Sequence, residues 1–570
     1  MNRLYSLFKF HIVPIVLILL FISCGTLYSQ VTQRDTIITW KHFNYQLSED
    51  NGMDWYSTTE IIEEEYPGIV LENEWVRLVI LPDYGARILS FVYKPTGHEQ
   101  FYINPVGAPY GIYEGNFYYD WLMVFGGVFP TFPEPEHGKT WLLPWDWEFI
   151  EIGPARISLK MEIQDTINYP GHPWKFDNGI TGIRCTSTVI LESGSTSFKL
   201  QHTLENTKAQ LVSFEYWTCT TLAPGSDPGN TFTPANSEII APIEYVYLKD
   251  DWWSWMGNSE NPAPQQGNHV FTYDNLALYE NWEDMGIAYA HPKLEESYYG
   301  VVNHTNEEAV FRVSDNATTP GMKFWTWGAQ QGLNSDPENF YDNARPYIEL
   351  WSGLSTQFFE DASLAPLETV SWTETYLPTV GMDAYSTVNE NGALSLEIMA
   401  GDDERFESTL FMNRPDSSFN YRLTLSGDAI LTLFDSDFLA ESENSTQFTH
   451  LISDFAIPDG DYMLEATVSE PSGNELITFS TPVTLPIPAS GIPGQRIDMP
   501  LVIRHDAHSY SLQFSTPSSR SLFVYHINGQ LIDQRQTHGS IARIRVETAG
   551  YYVVYVVEEN RAFPVKIRCW

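Results

Sequence analysis

Residues 71–93 read LENEWVRLVILPDYGARILSFVY. Two short runs rich in β-branched and aromatic side chains, Glu74–Leu81 and Arg87–Tyr93, are divided by Pro82-Asp83, which is turn chemistry. The same grammar recurs at Arg156–Ile163, Ile183–Leu191, Phe198–Leu204 and Leu211–Thr218, with Glu-Ser-Gly and Pro-Gly punctuation between runs. Helical periodicity sustained over a window of about eleven residues is essentially absent. The expectation is all-β: residues 31–380 as one large antiparallel two-sheet sandwich, well beyond immunoglobulin size.

Tryptophan marks where that region ends. All but one of the 18 tryptophans lie between Trp40 and Trp372, and the last is Trp570. Residues 385–490 carry strand runs at Leu394–Met399, Ser408–Met412, Tyr421–Leu425, Ala429–Phe434 and Asp461–Val468. Their length and spacing predict an immunoglobulin-like β-sandwich, read as a spacer because no chemical constellation appears in it. Leu485–Gly494 is rich in Pro and Gly and reads as an extended linker. Residues 498–570 hold a small C-terminal β-sandwich with runs at Ser509–Phe514, Ser521–Ile527, Ile541–Glu547 and Tyr551–Val557.

Residues 1–29 read as a signal peptide: Arg3 and Lys9 precede an apolar run, Ile12–Ile22, too short for a stable transmembrane anchor. Cleavage after Ser29 competes with a relaxed lipobox ending at Cys24. The formal net charge of −42 excludes nucleic acid as a partner, since phosphate binding needs surplus Lys and Arg. It favours neutral sugars over polyanionic glycans unless a local basic patch reverses the field. The chain has four cysteines; Cys185 and Cys219 sit in strand-like runs where export permits a bridge, and Cys569 reads as a free thiol. No metal-ligand spacing is present, and no cofactor is expected.

The stretch that bears on function is 321–353, GMKFWTWGAQQGLNSDPENFYDNARPYIELWSG. Met322–Trp327 and Pro346–Trp351 flank a polar loop. Alternation puts Glu349 on the same side of its strand as Tyr347 and Trp351. A carboxylate among aromatics suits a sugar, whose C–H faces stack on rings and whose hydroxyls donate to the carboxylate. The competing reading is a buried strand glutamate satisfied by Arg345 or Lys323. Trp252, Trp253 and Trp255, following Asp250-Asp251, read either as an exposed stacking platform or as core; Trp145 and Trp147 carry the same two readings.

Two family resemblances follow. Leu522–Leu531 with its Asn528-Gly529 turn, then Ala549-Gly550-Tyr551-Tyr552-Val553-Val554, then Val565-Lys566-Ile567-Arg568, resembles the C-terminal sorting domain of the type IX secretion system of Bacteroidota. That resemblance implies delivery across the outer membrane by that machinery to the cell surface or medium. Leu71–Ile88, Thr96–Glu99, Asn104-Pro105, Phe125-Gly126-Gly127, Pro144–Trp147, Phe324–Gly328, Pro346–Gly353 and Leu364–Glu368 resemble a bacterial family of unknown function related to galactose mutarotase-like supersandwiches. It implies a carbohydrate ligand, with Glu349 as the late-strand glutamate that takes a proton from the anomeric hydroxyl. The Asn-His pair that mutarotases carry on a central strand has no histidine counterpart in Phe214–Thr220. His137, in a Pro-rich loop, could supply the acid instead, or be a solvated turn histidine. Arg87 could bind a hydroxyl or carboxylate, or be an ion-pair partner. Lys323, Trp325, Trp327 and Trp351 complete the expected sugar lining. Glycosidase chemistry would pair Glu349 with Glu136 or Asp146; the alternatives are a non-catalytic glycan-binding protein and a structural cell-surface protein.

Overall fold

A computed structural model describes residues 30–47, 53–107, 126–134, 137–141, 143–167, 179–248, 255–256, 265–267, 269–273, 276–294, 296–329, 345–399, 404–427, 429–485, 501–504, 509–513, 520–526, 531–537, 541–546, 550–558 and 561–569. The signal segment, the linker centre, Cys24, Glu136, Trp252, Trp253 and the loop 330–344 lie outside the described residues.

Strand-forming patterns dominate, and the described secondary structure is β apart from short 3-10 turns. A 14-stranded sheet has at its centre, in order, Gly286–His291, Gly321–Thr326, Ile348–Gly353, Trp217–Ser226, His98–Phe101, Arg87–Tyr93 and Val76–Leu81. An 8-stranded sheet runs Glu238–Ile240, Tyr298–Asn303, Glu308–Val313, Thr369–Val380, Phe198–Asn206, Ile183–Glu192, Arg156–Gln164 and Asp146–Ile152. Their inner faces share one core: Phe91 and Phe101 from the larger sheet meet Phe198 and Tyr376 from the smaller at ring separations of 5.0–6.3 Å. This is the large antiparallel supersandwich expected from the sequence.

That core also holds charge. Glu374 is fully buried and ion-pairs with Arg312 at 3.1 Å. Thr218, Ser352 and Trp372 donate to the same carboxylate oxygen, and Tyr376 donates to the other. Although burial pushes the other way, the Arg312 charge and these donors hold Glu374 down to about 2.

Two further sandwiches follow. Thr387–Asn389, Gly392–Met399, Arg405–Met412 and Thr446–Leu451 face a sheet of Ile430–Leu439, Ser418–Ser426, Gly460–Ser469 and Glu475–Leu485 around one apolar cluster. The last pairs a 3-stranded sheet, Leu501–Arg504, Ser509–Gln513 and Ile541–Arg545, with a 4-stranded one spanning Arg520–Cys569.

Two features differ from the sequence reading. The run expected as one strand over 211–218 is broken: Val212–Phe214 pairs with Ala362–Leu364, and Trp217–Ser226 enters the large sheet. Between them the Glu215 N–H donates to Pro133 O instead of to a ladder. Cys185 and Cys219 are free. Cys185 faces the core from the smaller sheet and Cys219 faces outward from the larger, so the two cannot meet.

Candidate functional site

Alternation on the central strands separates two faces. Met322, Phe324, Ile348 and Leu350 enter the inter-sheet core, whereas Trp217, Cys219, Phe129 and Trp351 belong to a second cluster on the opposite face. Register then assembles cross-strand rows on that outer face. Phe129 lies beside Cys219, and Trp351 beside Lys323, which neighbours Tyr289. In the adjoining row Thr221 pairs with Glu349 and Glu349 with Trp325. Arg87 joins from the next strand, because Ile88 opposite Val128 points inward.

Glu349 is 5% exposed. Trp351 Nε1–H donates to Oε2 at 2.7 Å, and Tyr347 O–H donates to Oε1 at 3.2 Å. Trp327 Nε1–H in turn donates to the Tyr347 oxygen at 3.3 Å, and Tyr102 stacks flat on Tyr347 at 4.0 Å. The carboxylate is thus oriented by two aromatic donors that are themselves held. Lys323, also buried, places Nζ 3.9 Å from the Trp351 ring and 4.3 Å from Phe358.

Arg87 is fully buried, with its guanidinium 3.8 Å from the Phe129 ring and NH1 donating to Gly126 O. Burial lowers it to about 10 against the opposing pull of Tyr84, Cys219 and Glu349. The close approach at Gly126 requires glycine: φ is +93°, and a Cβ would come within 2.0 Å of Tyr102 O. Burial first, then the charges of Lys323 and Arg87, holds His137 well below its ordinary value. Its ring stacks on Trp141 at 4.5 Å and sits 5.7 Å from Trp351. His137 therefore faces the cluster as a neutral imidazole near pH 7, not as a solvated turn residue. Burial pushes the neighbouring Cys219 thiol up.

The structure brings Glu349, Arg87, Lys323, His137, Trp325, Trp327 and Trp351 together. It does not bring in Trp145, which is buried in the inter-sheet core with Nε1–H on Thr140 O. Trp255 also packs elsewhere, 6.4 Å from Trp282 and donating to Met285 O. Asp146 and the half-exposed Trp147 lie on the edge strand of the smaller sheet. Arg345 is exposed. Tyr102, Phe129, Trp141 and Trp217 were not singled out from sequence, and Cys219 was read only as a candidate for a bridge. Alternation did place Tyr347 beside Glu349; the cross-strand neighbours needed the register.

No family model matches the chain. Solved structures similar to it include a TPR-domain-containing protein from Parabacteroides distasonis (16% identity, 63% of this chain, 57% of that one, TM-score 0.48). A putative aldose 1-epimerase from Klebsiella pneumoniae is 13% identical, over 61% of this chain and 91% of that one, at TM-score 0.39. A galactose mutarotase-like protein from Clostridium acetobutylicum is 10% identical, over 62% and 99%, also at TM-score 0.39. The chain thus spans 57% of the first of these.

Proposed function

We propose that this chain is an exported carbohydrate-binding protein whose sugar sits at the Glu349 cluster on the outer face of the larger sheet. The observation that carries the reading is the pre-oriented carboxylate of Glu349 amid Trp325, Trp327 and Trp351. Such a carboxylate accepts sugar hydroxyls while indole faces cover C–H surface. In this reading residues 1–29 are removed on export, and residues 498–570 act as the type IX sorting domain that brings the protein to the surface or medium.

Among the described residues, what surrounds Glu349 favours recognition over turnover. Glycosidase chemistry needs a second carboxyl at about 5–10 Å. Asp146 lies on the other sheet's edge, Glu136 lies outside the described residues, and Glu215, in the break between Val212–Phe214 and Trp217–Ser226, has Trp217, Asp361 and Glu134 as neighbours. Epimerase chemistry needs an acid, and His137 is held neutral. Epimerase-type turnover remains the second reading because Trp351 and Tyr347 orient Glu349 as a base would be oriented.

The test is titration of the wild type and Glu349→Gln with a monosaccharide panel, with polarimetry on anomerically pure sugar alongside. Loss of affinity in the variant without wild-type anomer interconversion supports recognition. Unchanged affinity removes Glu349 from the site, and wild-type interconversion that the variant lacks establishes the second reading.

A further inference from the structure

We infer that the sugar taken at this site carries a carboxylate, a hexuronic acid in place of a neutral hexose, and that Arg87 binds that carboxylate side-on. The inference rests on the reading of the Glu349 cluster as a sugar site and names the class of sugar.

The first ground is the guanidinium itself. Arg87 NH1 is used on Gly126 O, while Nε and NH2 are buried without a hydrogen-bond partner. Nε–H and the NH2 group on its side form one edge of the planar fork, the edge that takes a carboxylate in two parallel bonds. Charged donors buried without acceptors are costly and rare in a folded protein, and this pair lies on the same face as Glu349. Phe129, 3.8 Å beneath the plane, fixes the direction in which the fork opens.

The second ground is charge. Lys323 and Arg87 both act on His137, and the same two basic side chains act with Glu349 on Cys219. His137 and Cys219 are neutral near pH 7. Two basic side chains beside the Glu349 carboxyl, in a buried and aromatic setting, suit a ligand that brings negative charge. One free guanidinium edge matches one carboxylate; a phosphate monoester, near dianionic at neutral pH, brings a second charge that this edge does not meet. The chain as a whole carries −42, which favours neutral sugars, but the field at a buried site is set by its own neighbours.

The experiment is isothermal titration of the full chain with glucuronate and galacturonate, their methyl esters, the parent hexoses, and glucose 6-phosphate. The expected result is that a free uronate binds at least about tenfold more tightly than its own methyl ester, and that Arg87→Met removes that difference. The acid-against-ester comparison uses only wild type, so a misfolded variant does not blunt it. Equal binding of acid, ester and hexose overturns the carboxylate inference and leaves the sugar site standing. Tighter binding of glucose 6-phosphate than of either uronate overturns it in favour of a phosphate ligand. Binding of no sugar at all overturns both readings.

Discussion

Replacing Glu374 by glutamine tests how the supersandwich is held together. The Glu374 carboxylate accepts from Thr218 at 3.2 Å, Arg312 at 3.1 Å, Ser352 at 2.7 Å, Trp372 at 3.1 Å and Tyr376 at 2.9 Å. Glutamine keeps the shape but turns one acceptor into a donor facing donors, and leaves the Arg312 charge buried without its counter-ion. Breaking one side of a buried, hydrogen-bonded pair costs about 3–5 kcal/mol. The double variant Glu374→Gln/Arg312→Met removes both charges and is expected to cost less than the sum of its parts, with a coupling of about 1–3 kcal/mol. Urea denaturation followed by tryptophan fluorescence reads this directly, because the tryptophans other than Trp570 all lie between Trp40 and Trp372. A loss below about 1 kcal/mol for Glu374→Gln, or strict additivity in the double variant, would refute the reasoning.

Three further outcomes are expected. Trp351→Phe deletes the 2.7 Å bond to Glu349 and weakens the face offered to Lys323, so the transition should fall by about 1–3 kcal/mol and sugar affinity should drop with it; wild-type affinity would show that the indole N–H does not position Glu349. Acid should destabilise the sandwich in two stages. Buried His202 lies at about 4 against an ordinary 6.5, so its contribution is complete above 6.5 and lost as pH falls through 4, on the order of 3 kcal/mol. Glu374, at about 2 against 4.5, adds a second loss below 4.5; denaturation midpoints that stay level from pH 7 to 4 would contradict this. Finally, peptide mapping after iodoacetamide should find Cys185 and Cys219 modified only once the protein is unfolded, since burial raises both thiols; modification in the native state would contradict the packing.

Strands announced themselves where β-branched and aromatic side chains run together between turn residues. Arg87–Tyr93 occurs as read, and Ile183–Glu192 and Phe198–Asn206 differ from expectation by one and two residues at their ends. The hairpin of Thr32–Leu47 with Met53–Glu72 was not legible, because its acidic stretch around Glu63 faces solvent and shows no apolar period. The break at Glu215 was hidden for a different reason: the local pattern continues, and only the bond to Pro133 O turns the chain. At the site, the alternation around Glu349 was readable and the separation of Trp145 from it was not, since a tryptophan beside a strand end reads the same in a core or a cleft. Arg312 and Glu374, which pair only across adjacent strands of the smaller sheet, carry no local signal.

The most direct test of the central claim is a crystal structure of the wild-type protein grown with a sugar that binds in solution. The account predicts a pyranose ring with a hydroxyl within about 2.6–3.2 Å of a Glu349 carboxylate oxygen, on the outer face of the sheet and against the rings of Trp325 or Trp351. A sugar held elsewhere on the protein, with Glu349 bonded only to its protein neighbours, would contradict it.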